Sequence, residues 1–82
     1  MLVKLNIGDK FINGKVEYTV INYYKTLFSN VALLKRKTYC PYVVAVDVKQ
    51  YPDGKYAWAF GQYFNYLENA QKTYEEYIIK FN

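Results

Sequence analysis

The chain has 82 residues, 52% hydrophobic and 22% charged, with 11 Lys and Arg against 7 Asp and Glu for a formal net charge of +4. That composition is too apolar for intrinsic disorder and too short for more than one domain, and at this size folding buries roughly 60–65% of the unfolded chain's surface, which leaves a thin core. With no His and only one Cys and one Ser, an internal disulfide, a Cys/His zinc site and most nucleophilic catalysis are excluded.

The first eight residues, Met1 to Gly8, contain no apolar stretch of signal-peptide length. Apolar runs are short, as in Tyr42 to Val46, whereas a spanning helix needs about 20 residues. A small domain without disulfides is therefore expected in a reducing cytoplasm, with no membrane partner.

In chain order, Leu2 to Leu5 could form a short edge strand. The first firm signal is Phe11-Ile12-Asn13-Gly14-Lys15-Val16, where Asn-Gly supplies two residues that tolerate positive φ in a tight hairpin. That turn sets Phe11 opposite Val16 and Lys10 opposite Glu17. The second strand then alternates Val16, Tyr18 and Val20 on one face with Glu17, Thr19 and Ile21 on the other. Turn formers from Lys25 to Asn30 precede a third strand expected from Val31 to Tyr39, and Cys40-Pro41 interrupts pairing.

The second hairpin turns at Tyr51-Pro52-Asp53-Gly54-Lys55, with Pro presetting φ and Gly free to be left-handed. Two registers compete. A two-residue Asp-Gly turn would set Tyr51 against Tyr56 and Asp47 against Phe60. A type I turn with a Gly bulge sets Tyr51 against Lys55, Val48 against Trp58 and Val46 against Phe60. The second is preferred because it gathers Val44, Val46, Val48, Trp58 and Phe60 on one face without burying a charge. The other face would then be smooth and solvent-facing, with Val43, Ala45, Asp47 and Lys49 beside Ala57, Ala59 and Gly61.

The chain ends in a helix, with Asn65 as N-cap and Glu68 three positions on. Leu67, Ala70, Tyr74, Tyr77, Ile78 and Phe81 share one arc, opposite Glu68, Lys72, Glu75, Glu76 and Lys80. The expected fold is α+β: an antiparallel meander of about four or five strands covered by one C-terminal helix.

The residue types argue against an enzyme. Cys40 lies near Lys35-Arg36-Lys37 but has no base within the sequence, so a half-buried strand-end Cys is the plainer reading. Asp9 and Asp53 belong to turns, Glu17 pairs with Lys10, and Asp47 faces water beside Lys49. Gly8, Gly14, Gly54 and Gly61 are too scattered for a phosphate loop. No cofactor or metal is expected.

Two features suggest partners. Lys35-Arg36-Lys37 and the alternating rings of Lys55 to Phe60 are compatible with nucleic acid, although consecutive strand residues point to opposite faces. The other is the surplus of rings. Of 11 Tyr, 5 Phe and 1 Trp, the core can take Phe11, Tyr18, Trp58, Phe60, Tyr74, Tyr77 and Phe81. Tyr23, Tyr24, Tyr39, Tyr42, Tyr51, Tyr56, Tyr63 and Tyr66 cannot all be inside, and exposed Tyr with Arg is characteristic of protein interfaces. Lys35, Arg36, Lys37, Tyr39, Tyr42, Tyr51 and Tyr56 are thus the candidate partner-binding residues.

The segment Trp58-Ala-Phe-Gly61-Gln-Tyr-Phe64-Asn-Tyr-Leu67-Glu-Asn-Ala70 and the helix after it resemble the ending of small phage and mobile-element proteins of AT-rich Gram-positive bacteria, over about the last 40 residues. The resemblance implies a non-enzymatic protein that binds host or defence machinery, a class that includes anti-CRISPR inhibitors. This chain's positive charge differs from the acidic surface of the DNA-mimicking members. The leading expectation is an inhibitor or modulator of a host protein, for example a defence nuclease complex, acting through a Tyr-rich, basic surface. The alternatives are a nucleic-acid binder using Lys35, Arg36 and Lys37, and an oligomer that sequesters a nucleotide signal. A homodimer would account for a surplus apolar face.

Overall fold

The computed structural model describes residues 5–81. Five strands, β1 (Lys10–Asn13), β2 (Val16–Lys25), β3 (Asn30–Arg36), β4 (Tyr42–Gln50) and β5 (Tyr56–Phe64), form one antiparallel meander in sequence order, and helix α1 (Leu67–Phe81) follows. The α+β expectation holds, with five strands. Residues 2–4 of the suggested edge strand lie outside the described residues; Leu5 is buried.

The sheet curls. On its concave side Phe11 of β1 stacks on Tyr56 of β5 at 4.4 Å, and both Phe11 and Tyr18 meet the edge of Trp58. These rings close over Val20, Ala32, Leu34, Val43, Ala45 and Val48. Helix α1 lies on the convex side, where Ala70 and Tyr74 are buried against Val31, Leu33, Val44 and Val46. The helical arc is therefore as expected from its spacing, except that Leu67 is 40% exposed. The helix starts one residue later than expected, since the Ala70 N–H reaches the Tyr66 carbonyl, which makes Tyr66 the cap in place of Asn65.

The first turn differs from its expected register. Asn13 pairs with Val16, and Phe11 faces Tyr18. Gly14 alone in this turn has positive φ (67°) and Lys15 follows it, so Gly occupies the first central position, as in a type II′ turn. The two-residue shift sets Phe11 beside Tyr18 with ring centroids 5.6 Å apart. Strand β3 ends at Arg36, three residues before the expected limit, because the Arg36 N–H turns back to the Pro41 carbonyl.

The second hairpin takes the preferred register: Val48 pairs with Trp58 and Val46 with Phe60. Its type I turn and Gly bulge are formed, with the Gly54 N–H on the Tyr51 carbonyl, the Tyr51 N–H on the Lys55 carbonyl and Gly54 at φ 89°. The expected common face is not formed. Asp47 is left-handed (φ 63°), and alternation slips there: Val44 and Val46 face the helix, whereas Val43, Ala45 and Val48 face the concave core. Trp58 follows Val48 inward, while Phe60 remains on the helix side against Tyr77 and is 51% exposed. The smooth exposed face does not exist either, because Val43 and Ala45 are wholly buried by the curl.

Asn30 repairs the gap that the slip leaves. Pairing of β3 with β4 stops at Val31–Val46. Beyond it the fully buried Asn30 amide takes the Val48 N–H (2.7 Å) and donates to the Val48 carbonyl (3.1 Å) and the Tyr23 hydroxyl (3.2 Å). One side chain thereby supplies the contacts of the next strand residue.

Candidate interaction surface

The seven residues singled out in the sequence do not form one site. Lys35 opposes Tyr42 where β3 and β4 begin to separate. Tyr51 and Tyr56 lie at the far end of β4, where Tyr56 pairs with Gln50, and eight residue steps of strand span roughly 26 Å. Tyr42 packs with Phe64 beside the helix-side core, and Tyr56 lies on Phe11. Tyr51 and Tyr56 do line, with Ile12, Gly14 and Lys55, a recess of about 380 Å³ where the first turn curls over the second hairpin. Tyr39 is 90% exposed in the β3–β4 loop.

The basic run splits as strand alternation requires. Arg36 turns to the concave side and is consumed by structure: Nη2 donates to the Tyr39 carbonyl at 2.8 Å, Nε to the Cys40 carbonyl at 3.2 Å and Nη1 to the Tyr18 hydroxyl at 3.1 Å. Its guanidinium also lies 4.8 Å from the centre of the Tyr63 ring. This clamp holds the loop in which Cys40 adopts φ 49°. Lys35 and Lys37 remain exposed and join Lys10, Glu17 and Thr19 around a shallow recess of about 290 Å³. Lys10 arrives there because it pairs with Thr19, which pairs with Lys35. The cluster is thus built across three strands and is not legible in the run alone.

The residues that sequence reasoning missed are Leu27 and Phe28, read there only as part of a turn. They occupy the two-residue tip between β2 and β3 and are 69% and 84% exposed. The turn beneath them is tightly built. The Thr26 N–H donates to the Ser29 carbonyl (3.0 Å), the Ser29 N–H donates to the Thr26 hydroxyl (2.9 Å), and Thr26 is buried. Ser29 Oγ approaches Asp47 at 3.5 Å, Asp47 pairs with Lys49 at 3.3 Å, and Asn30 ties the base of the turn to β4. Polar residues thus hold two apolar ones away from the core. The signal was available: large apolar residues at both central positions of a turn bounded by Thr, Ser and Asn have no core to fill.

Chemistry is sparse elsewhere. Among the described residues no three His, Cys, Asp or Glu side chains come together as metal ligands, and no helix is long and apolar enough to cross a membrane. Burial, together with nearby Tyr24, pushes the Tyr74 phenol up to about 12. Tyr74 packs in the helix-side core, so this neutral phenol serves packing. No family model matches the chain, and no curated protein or solved structure does either.

Proposed function

We propose that this chain is a small non-enzymatic binding domain that docks on a partner protein through the Leu27–Phe28 tip. The observation that carries the reading is the exposure of two adjacent large apolar side chains on a turn preorganised by Thr26, Ser29 and Asn30. Anchors of this kind dominate binding energy because little conformational entropy is lost when they enter a pocket. Burying both would contribute about 3–6 kcal/mol. Lys25, exposed beside the tip, favours an apolar pocket with an acidic rim.

From the resemblance read in the sequence alone, we propose as the most specific form of this reading an inhibitor or modulator of a host defence protein in the cytoplasm. The lack of His supports the non-enzymatic part.

The test has two steps. A partner recovered from bacterial lysate by the wild-type chain is purified, and its affinity is measured for wild type, a Leu27→Ser/Phe28→Ser variant and a Lys35→Ala/Lys37→Ala variant. The tip variant should bind at least about 100-fold more weakly with its thermal midpoint unchanged. Unchanged affinity in the tip variant refutes the anchor.

The second reading is nucleic-acid binding, and the convergence of Lys10, Lys35 and Lys37 supports it. Its mark is affinity for an oligonucleotide that falls steeply with salt, and no binding at low salt would rule it out.

A further inference from the structure

We propose that two copies of this chain associate through β5, pairing their Ala59–Tyr63 segments antiparallel so that one sheet runs through both subunits. The two edges of the sheet are β1 and β5, and they are protected very differently. Strand β1 is four residues long, opens on Lys10 and turns back at Gly14-Lys15. Those are the ordinary devices that keep an edge from pairing. Strand β5 is nine residues long, and from Tyr56 to Leu67 the chain has no charged residue and no Pro. That uncharged stretch of 12 residues is the longest in the sequence.

Strand β1 covers only the beginning of β5, through Phe11 on Tyr56 and Trp58. Past that point Ala59, Phe60, Gln62 and Tyr63 are exposed. Ala59 carries only a methyl group and the space over Gly61 is taken by the Trp58 indole, while Phe60 lies on the helix side and Tyr63 on the concave side of this edge.

A second copy is the occupant that the chemistry selects. A twofold axis perpendicular to a strand makes it antiparallel to its own mate, so β5 can pair with itself in a closed dimer. Charge selects the same edge. A chain of net charge +4 repels its twin where Lys10, Lys35 and Lys37 cluster, whereas β5 brings no charge to the contact. The pairing leaves the Leu27–Phe28 tip free in both subunits, so this inference stands or falls independently of the proposed docking tip.

Sedimentation equilibrium over a concentration series of the full chain tests it, together with hydrogen exchange of the β5 amides at low and high concentration. The expected result is a species of twice 9.8 kDa, with amides of residues 59–63 gaining protection as it forms. Ala59→Lys, which places a charge on the pairing edge opposite Tyr63 of the second copy, should weaken association at least tenfold, whereas Lys35→Ala/Lys37→Ala should leave it intact. If Ala59→Lys fails to fold by circular dichroism, the wild-type exchange data decide. A monomer up to about 1 mM overturns the proposal. So does a dimer that tolerates Ala59→Lys without protecting β5, or β5 protection that arises only on addition of a different protein.

Discussion

Replacing Asn30 by Ala tests the account of the β3–β4 junction most directly. The Asn30 side chain is fully buried and makes both hydrogen bonds to the Val48 backbone, at 2.7 and 3.1 Å, as well as one to Tyr23. Ala would leave a buried N–H and a buried carbonyl on Val48 without these partners, each costing about 1–3 kcal/mol. Allowing for the desolvation of the amide that Ala avoids, the net loss should be about 3 kcal/mol. A domain of this length has about 4–12 kcal/mol in total, so the variant should fold but sit near the margin. Urea denaturation followed by Trp58 fluorescence reads this as a midpoint about 3 M lower, for a slope of about 1 kcal/mol/M. A loss under about 1 kcal/mol would refute the reasoning, because it would mean that the Val48 backbone groups are satisfied by water or by another strand.

Gly61→Ala should destabilise by about 1–3 kcal/mol, because a Cβ there would stand 2.7 Å from the Trp58 indole nitrogen and 3.3 Å from the Tyr63 hydroxyl; chemical denaturation measures the loss, and a red shift of Trp58 emission should accompany it. Arg36→Ala removes three donors from the Tyr39 and Cys40 carbonyls and the Tyr18 hydroxyl. The β3–β4 loop should open, and Cys40 should react faster with a thiol reagent in the folded protein than it does in wild type. For Tyr74 the sign follows from a phenol held protonated to about 12 when folded against the ordinary 10 when unfolded. Its contribution is complete below pH 10 and falls away as pH rises from 10 to about 12, because the unfolded chain releases that proton first. Tyr74→Phe should flatten this part of the stability profile in urea titrations at stepped pH.

What the sequence determined by itself was local. The Pro-Asp-Gly turn fixed the β4–β5 register, since Pro52 and Gly54 allow few other backbone paths. The spacing of Ala70, Tyr74, Tyr77, Ile78 and Phe81 determined which side of α1 is buried, because a helical arc depends only on positions in the chain. The division of Lys35 from Arg36 also followed from strand alternation.

Tertiary structure decided which face is which. Left-handed Asp47 inverted the alternation of β4, and the curl of the sheet then buried Val43 and Ala45 instead of exposing them. A single backbone angle and a ring contact between distant strands set those outcomes, and neither leaves a periodic trace in the sequence. The same non-local closure assembled Lys10 with Lys35 and Lys37, committed Arg36 to a loop, and filled the core without Leu27 and Phe28. Composition announced a surplus of large apolar and aromatic side chains; only the folded chain determined that the most prominent adjacent pair stands at the tip of the β2–β3 turn.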